Sequence, residues 1–371
     1  MTQPLLREKP HYLQLDALRG VAALIVVCYH IFEGFSTSPA TQTINHGYLA
    51  VDFFFVLSGF VIGYAYDDRW RKGEITTGGF FRRRLTRLHP MVAIGVLLGV
   101  ATFCVQGCVQ WDGTHVSAAA VAASAVLALF MLPAWPGGFA EVRGNGEMFP
   151  LNGPMWSLFF EYIGNICYAL LIRRLGTRAL TAFAALLGAG LVFVSVRNGQ
   201  MGVGWTMADY GFWGGLVRML FSYTAGMLVS RLFRPLNVRG AFPLCAAALF
   251  VLLALPYAGT ERMPWLNGLY DALCIIVVFP ALVWIAASGK TPAGRTGKAC
   301  RVLGDLSYPL YVVHYPFYYL FYAWLWKDAE RHIPFSEAWP VATVLVPCCM
   351  LLAWAAYKCY DLPVRRWLSK R

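Results

Sequence analysis

Eleven apolar runs, each near the ~20 residues that carry a helix across a bilayer core, leave this chain few ways to fold. They lie at about 13–35, 47–66, 88–107, 117–134, 154–173, 179–196, 210–231, 240–258, 267–287, 302–325 and 338–358. In lipid every backbone polar group must be satisfied within its own segment, which leaves helices for runs of this length. The expected fold class is therefore all-α, a polytopic membrane helix bundle. Of 371 residues 58% are hydrophobic and only 13% charged, whereas soluble chains are about half apolar and about a quarter charged. Residues 1-371 read as a single membrane domain with no appended soluble domain, cleavable signal peptide or internal repeat. The ten cysteines form no C-x-x-C pair and read as small buried hydrophobes, so no metal is expected.

A net charge of +12 would suit a nucleic-acid partner only if the basic residues were gathered on one surface. They sit between apolar runs instead, where the positive-inside rule places them, so the expected partner is the lipid bilayer and no nucleic acid. Arg69 to Arg87, Arg173 to Arg178, Arg231 to Arg239, Lys290 to Arg301 and Arg365 to Arg371 mark cytoplasmic loops and tail. Between Arg87 and Pro154 the chain must cross an odd number of times, yet two runs lie there. One of 88–107 and 117–134 therefore does not span, and the Ala-rich 117–134, followed by the Gly/Pro-rich stretch to 154, is the expected re-entrant or surface-lying segment. That gives about ten transmembrane helices with both termini cytoplasmic.

Ionisable side chains in such runs are costly and face a bundle interior or a cavity. In Leu15–His30, Arg19 and His30 are eleven residues apart, which returns them to within roughly 20° of one helix face and separates them by about 16 Å. Arg19 is then cytoplasmic-side, where it either binds a phosphate or pairs with Asp16, and His30 lies toward the outer half. Asp52, one turn into the second run, is depth-matched to His30. Glu161, on a polar stripe Ser157–Glu161–Asn165–Tyr168, is expected at a similar depth. Arg84 and Arg87, at i and i+3, share a face where arginine forks can hold phosphate oxygens. Trp156 is an interfacial anchor or a sugar-stacking platform. Ser307, Tyr311 and His314 make one more polar face.

Five blocks carry a family resemblance: LDALRGVAALIVVCYH, VDFFFVLSGFVIG, FFRRRLTRLHP, LNGPMWSLFFE and LGDLSYPLYVVHYP. In this order the chain resembles the acyltransferase-3 family of integral membrane acyltransferases. The resemblance implies a ten-helix bundle of the bacterial cytoplasmic (inner) membrane. It implies transfer of an acyl group, usually acetyl, from cytoplasmic acyl-CoA to a hydroxyl of a lipopolysaccharide, exopolysaccharide or related carbohydrate. It carries over the functional Arg and His to Arg19 and His30, the Arg-x-x-Arg pair to Arg84 and Arg87, and the WS…E block to Trp156, Ser157 and Glu161. Acyl-CoA is the expected donor substrate, and glycan-assembly proteins are expected partners. On this reading His30, held by Asp52 or Glu161, is a general base or a covalent acyl carrier. Ser157, Tyr311 and His314 are unranked oxyanion donors and substrate contacts. The rival reading is a proton-coupled secondary transporter with His, Asp and Glu as a relay.

Overall fold

A computed structural model describes residues 11–260, 262–290, 292–327 and 332–370. Among them there are helices and isolated bridges but no strand. Helix α1 is Leu13–Glu33, and a 3-10 turn Gly47–Leu49 leads into α2, Ala50–Arg71. Then follow α3 Thr77–Val105, α4 Ala118–Leu129, α5 Met155–Leu170, α6 Thr177–Asn198, α7 Gly211–Leu232 and α8 Ala241–Ala254. The last three are α9 Trp265–Ala287, α10 Gly294–Leu325 and α11 Phe335–Lys370. Single π turns interrupt α9 at Cys274–Val278 and α11 at Tyr357–Asp361.

Eight of these helices are long and apolar enough to cross a membrane. Helix α10, at 32 residues, is about 48 Å long and carries the expected polar face. Helix α4 has 12 residues, about 18 Å, too short for a core of about 30 Å, in line with the expectation for 117–134. Helix α8 is shorter than the run at 240–258 suggests. It begins after Gly240, whose φ of 67° lies in the left-handed region, and stops at Ala254, just before Leu255-Pro256. Helix α3 begins at Thr77 rather than near 88. Thr76 caps it, its hydroxyl accepting from the Gly79 amide at 3.1 Å, so the arginine cluster is helical and not a loop.

Glycines let the central helices touch backbone to backbone, the small-residue packing expected without a hydrophobic drive between helices. A Cβ on Gly59 of α2 would lie 1.9 Å from the Tyr223 carbonyl oxygen of α7, and one on Gly226 of α7 would lie 2.0 Å from that of Val56. Helices α1 and α10 run closely together along the bundle centre.

The segment after α4 re-enters the bundle. Met148, Phe149, Leu151 and Asn152 are almost fully buried. The Asn152 amide donates to the Val312 carbonyl at 2.9 Å, and the Gly153 N–H donates to the Tyr319 hydroxyl at 3.1 Å. Irregular backbone of this kind survives because the protein satisfies it. Helix α5 therefore starts inside the bundle, which shifts every residue on it inward.

Candidate active site

Two cavities meet in the middle of the bundle. The smaller, about 70 Å³, lies among the start of α1, the far half of α2, the start of α3, α5 and α10. Arg19, Arg84 and Arg87 line it together with Ser58, Glu161 and Ser157. The larger, about 500 Å³, lies at the other end of α1 and is walled by His30, Glu33, Trp156, Arg218 and Tyr315 and by the loops around residues 36–45, 145–154 and 200–205. Val51 and Tyr311 line both cavities.

Arginine supplies the smaller cavity with an excess of positive charge. Arg84 pairs with Glu161 at 2.7 Å, and Ser58 donates to the same carboxylate at 3.3 Å. Arg19 pairs with Asp16 at 3.1 Å, the second of its two expected roles, and still lines the cavity. Arg87 is solvent-exposed and lines the cavity as a cation free to take a ligand's oxygens.

The expected neighbours of His30 are corrected here. His30 Nδ1 lies 2.8 Å from Glu33 Oε2, one turn along the same helix. A carboxylate accepts, so Nδ1 donates to Glu33, and His30 itself lines the larger cavity. Tyr322 reinforces this end of α1 by donating to the His30 carbonyl at 2.5 Å and to Glu33 at 3.2 Å. Asp52 does not meet His30. It lines neither cavity and is held by Arg218 of α7, with Nε at 2.8 and 2.9 Å and Nη2 at 2.7 Å, both side chains buried. Glu161 is not beside His30 either, because α5 begins inside the bundle and carries Glu161 past that depth to Arg84.

Tyr311 and Ser157 form the partition between the cavities. Their hydroxyls are 2.7 Å apart, and both reach the Pro154 carbonyl, at 3.2 and 3.0 Å. His314 is fully buried behind His30, not exposed to a ligand. The two rings stack with centroids 5.4 Å apart, and His314 Nδ1 donates to the Leu310 carbonyl at 3.0 Å. Trp156 walls the larger cavity, with the Arg218 guanidinium 5.3 Å above its ring.

Three further residues contribute to the site. Glu33 stands at i+3 from His30, a spacing that by itself signals a shared face. Arg218 interrupts an otherwise apolar run, which is a signal for a buried partner. Glu147 comes from a loop and had no periodic signal at all. It accepts from the Tyr319 hydroxyl and from Asn145 at 2.8 Å, and burial pushes its carboxyl up to about 7.

The model of a family described as "Acyltransferase domain" matches residues 12–358. The chain belongs to the acyltransferase-3 family. It is therefore an integral membrane enzyme that transfers acyl groups, and the transporter reading falls away. It is similar to "Acyltransferase MdmB" of Streptomyces mycarofaciens, 28% identical over 327 residues that cover 81% of this chain and 77% of that one. It is also similar to "Protein 2 in picA locus" of Rhizobium radiobacter, 38% identical over 174 residues, 45% of this chain and 84% of that one. A putative O-acetyltransferase of Staphylococcus aureus strain COL is 36% identical over 97 residues, 25% of this chain and 14% of its own. No solved structure matches the chain.

Proposed function

We propose that this enzyme moves an acyl group, acetyl as the family resemblance implies, from cytoplasmic acyl-CoA to a hydroxyl of an exported or cell-surface carbohydrate. The observation that carries this reading is the pair of abutting cavities, one lined by arginines and the other by the His30–Glu33 pair. Arg84, Arg87 and Arg19 hold the phosphates of the donor, and the acylated thiol end reaches the Ser157–Tyr311 partition. The acceptor enters the larger cavity and sets its hydroxyl beside His30.

His30 Nε2 takes the hydroxyl proton as the acceptor oxygen attacks the thioester carbonyl. Glu33 stabilises the imidazolium that forms. The hydroxyls of Ser157 and Tyr311 turn from the Pro154 carbonyl toward the developing oxyanion. The C–S bond breaks, the sulfur leaves as thiolate and takes up the proton that His30 accepted, and the acyl ester remains on the acceptor. The basic loops support a cytoplasmic arginine end and cytoplasmic termini, and the family resemblance supports the bacterial cytoplasmic membrane.

The test is transfer of radiolabelled acetyl from acetyl-CoA in membranes carrying wild type or His30→Ala, with mass spectrometry of surface glycans from cells with and without the gene. Loss of label and of a 42-Da substituent (roughly one acetyl, by the chemistry of ester formation) is expected for His30→Ala at unchanged membrane level. Near wild-type transfer by that variant would remove the mechanism.

A further inference from the structure

The larger cavity carries the opposite charge sense to the smaller one. Among the described residues that line it, Arg218 is the one arginine, and it is already spent. Asp52 neutralises it at 2.7 Å, and its remaining bonds run to the carbonyls of Tyr48 and Val203, at 2.6 and 2.9 Å. His30 shares its proton with Glu33. Glu147 makes no ion pair among the described residues: its hydrogen-bond donors are a tyrosine hydroxyl and an amide, and the charge of nearby Arg143 acts on it without direct contact. Arg143 lies over the Tyr319 ring at 3.4 Å, with Nε donating to the Pro150 carbonyl and Nη1 to Gln106, at 2.6 and 2.8 Å, and Nη2 buried without a hydrogen-bond partner among the described residues.

Glu147 is fixed in place by two loops joined into one piece. It forms a backbone bridge with Thr206, and the next amide, Met148 N–H, donates to the Trp205 carbonyl at 2.9 Å. This joint brings a carboxylate and the Trp205 ring to one wall of the cavity, with Trp156 on α5 also lining it. A carboxylate accepts hydrogen bonds from hydroxyls, and indole faces suit the apolar face of a ring.

Resting on the functional reading above, we propose that Glu147 sets the charge selectivity of the acceptor site: the cavity takes an uncharged polyhydroxyl ring and rejects the same ring bearing a carboxylate or phosphate. The donor's phosphates belong to the arginine cavity, so the two substrates are sorted by charge as well as by side of the bundle. The groups that face Glu147 are Tyr319 from α10, Glu33 from α1, and Arg143 and Asn145 from its own loop. At pH 8, above its raised pKa of about 7, it is mostly ionised.

The test is saturation-transfer NMR with the purified protein in nanodiscs at pH 8, using methyl β-D-glucopyranoside and sodium methyl β-D-glucuronide, which differ by one carboxylate. The neutral probe should bind at least about tenfold tighter, since like-charge juxtaposition is strongly penalised. Glu147→Gln should bring the two probes to within about threefold, while Glu147→Asp keeps the gap. If Glu147→Gln fails to fold, the wild-type pair still decides whether the cavity rejects the anion, and a repeat at pH 5, below the raised pKa of Glu147, assigns the rejection to Glu147 if the gap closes and removes that assignment if it stays. Equal or tighter binding of the glucuronide to wild type overturns the proposal, as does binding of neither probe. Thermal stabilisation by acetyl-CoA, measured on the same sample, keeps the readings apart. Stabilisation without probe binding sinks only the acceptor assignment; neutral-probe preference without stabilisation upholds it and sinks acyl transfer from CoA.

Discussion

Replacing Asp52 by alanine removes the only carboxylate bonded to Arg218 among the described residues and leaves that guanidinium 1% exposed, deep between α2 and α7. Three charge-assisted contacts at 2.7–2.9 Å disappear, and only two carbonyl acceptors stay behind. Breaking a buried ion pair from one side costs about 3–5 kcal/mol. Domains of ordinary stability have about 5–15 kcal/mol to lose. At about 2 °C per kcal/mol for a large chain, the apparent Tm in detergent should fall by roughly 6–10 °C. Asp52→Leu with Arg218→Met should recover most of that loss, because an apolar pair of similar volume is often neutral or better than a buried ion pair. Acetyl transfer by the folded fraction of Asp52→Asn should stay within about tenfold of wild type, about 1.4 kcal/mol of barrier, since Asp52 lines neither cavity. Transfer reduced by more than about a thousandfold at an unchanged Tm would refute this: Asp52 would then act on the reaction itself.

Glu33→Gln places an amide against His30 Nδ1, and an amide donor there moves the imidazole proton to Nε2. We expect kcat to fall by roughly 10²–10⁴ with KM little changed, read by steady-state acetyl transfer. Arg87→Ala should weaken acetyl-CoA binding by about tenfold to a hundredfold, the worth of one charged hydrogen bond, in a thermal-shift titration, with folding unaffected because Arg87 is exposed. Glu147 should make stability fall with rising pH. Its carboxyl rises from 4.5 to about 7 on folding, so the native state binds more protons across that window and loses stability as pH climbs through it. Melting temperatures at pH 5 and pH 8 should diverge in favour of Glu147→Gln at the higher pH. Gly59→Ala should cost about 1–3 kcal/mol or more by overpacking against Tyr223, seen as lower Tm and lower yield of folded protein.

The sequence was most legible where a helix repeats. Arg19 and His30 stand out by a spacing of eleven, and Arg84 and Arg87 by i, i+3; the three arginines line the smaller cavity and His30 the larger. The short α4 followed from a parity count of basic loops. Depth was less legible, because it depends on where a helix begins. Asn152 and Gly153 are bonded inside the bundle, so α5 starts late and Glu161 finds Arg84 in place of His30. Depth alone pairs Asp52 with His30 and says nothing of azimuth. Asp52 faces α7, where Arg218 interrupts an apolar run. Glu147 depends on a loop-to-loop bridge that no local pattern encodes.

The Ser157–Tyr311 partition has a bioenergetic consequence. If the two cavities open to opposite sides of the membrane, as the proposed function requires, the Ser157 and Tyr311 hydroxyls and Val51 are part of the insulation between two aqueous phases that differ in electrical potential. A unit charge crossing such a barrier gains about 2.3 kcal/mol per 100 mV, enough to drive a leak through any continuous thread of water. Tyr311→Ala should therefore burden the cell even when no acceptor is present, through proton conductance across its energised membrane. Catalysis and electrical tightness would then rest on the same two side chains, which must part for the acyl group and close again before water lines up behind it.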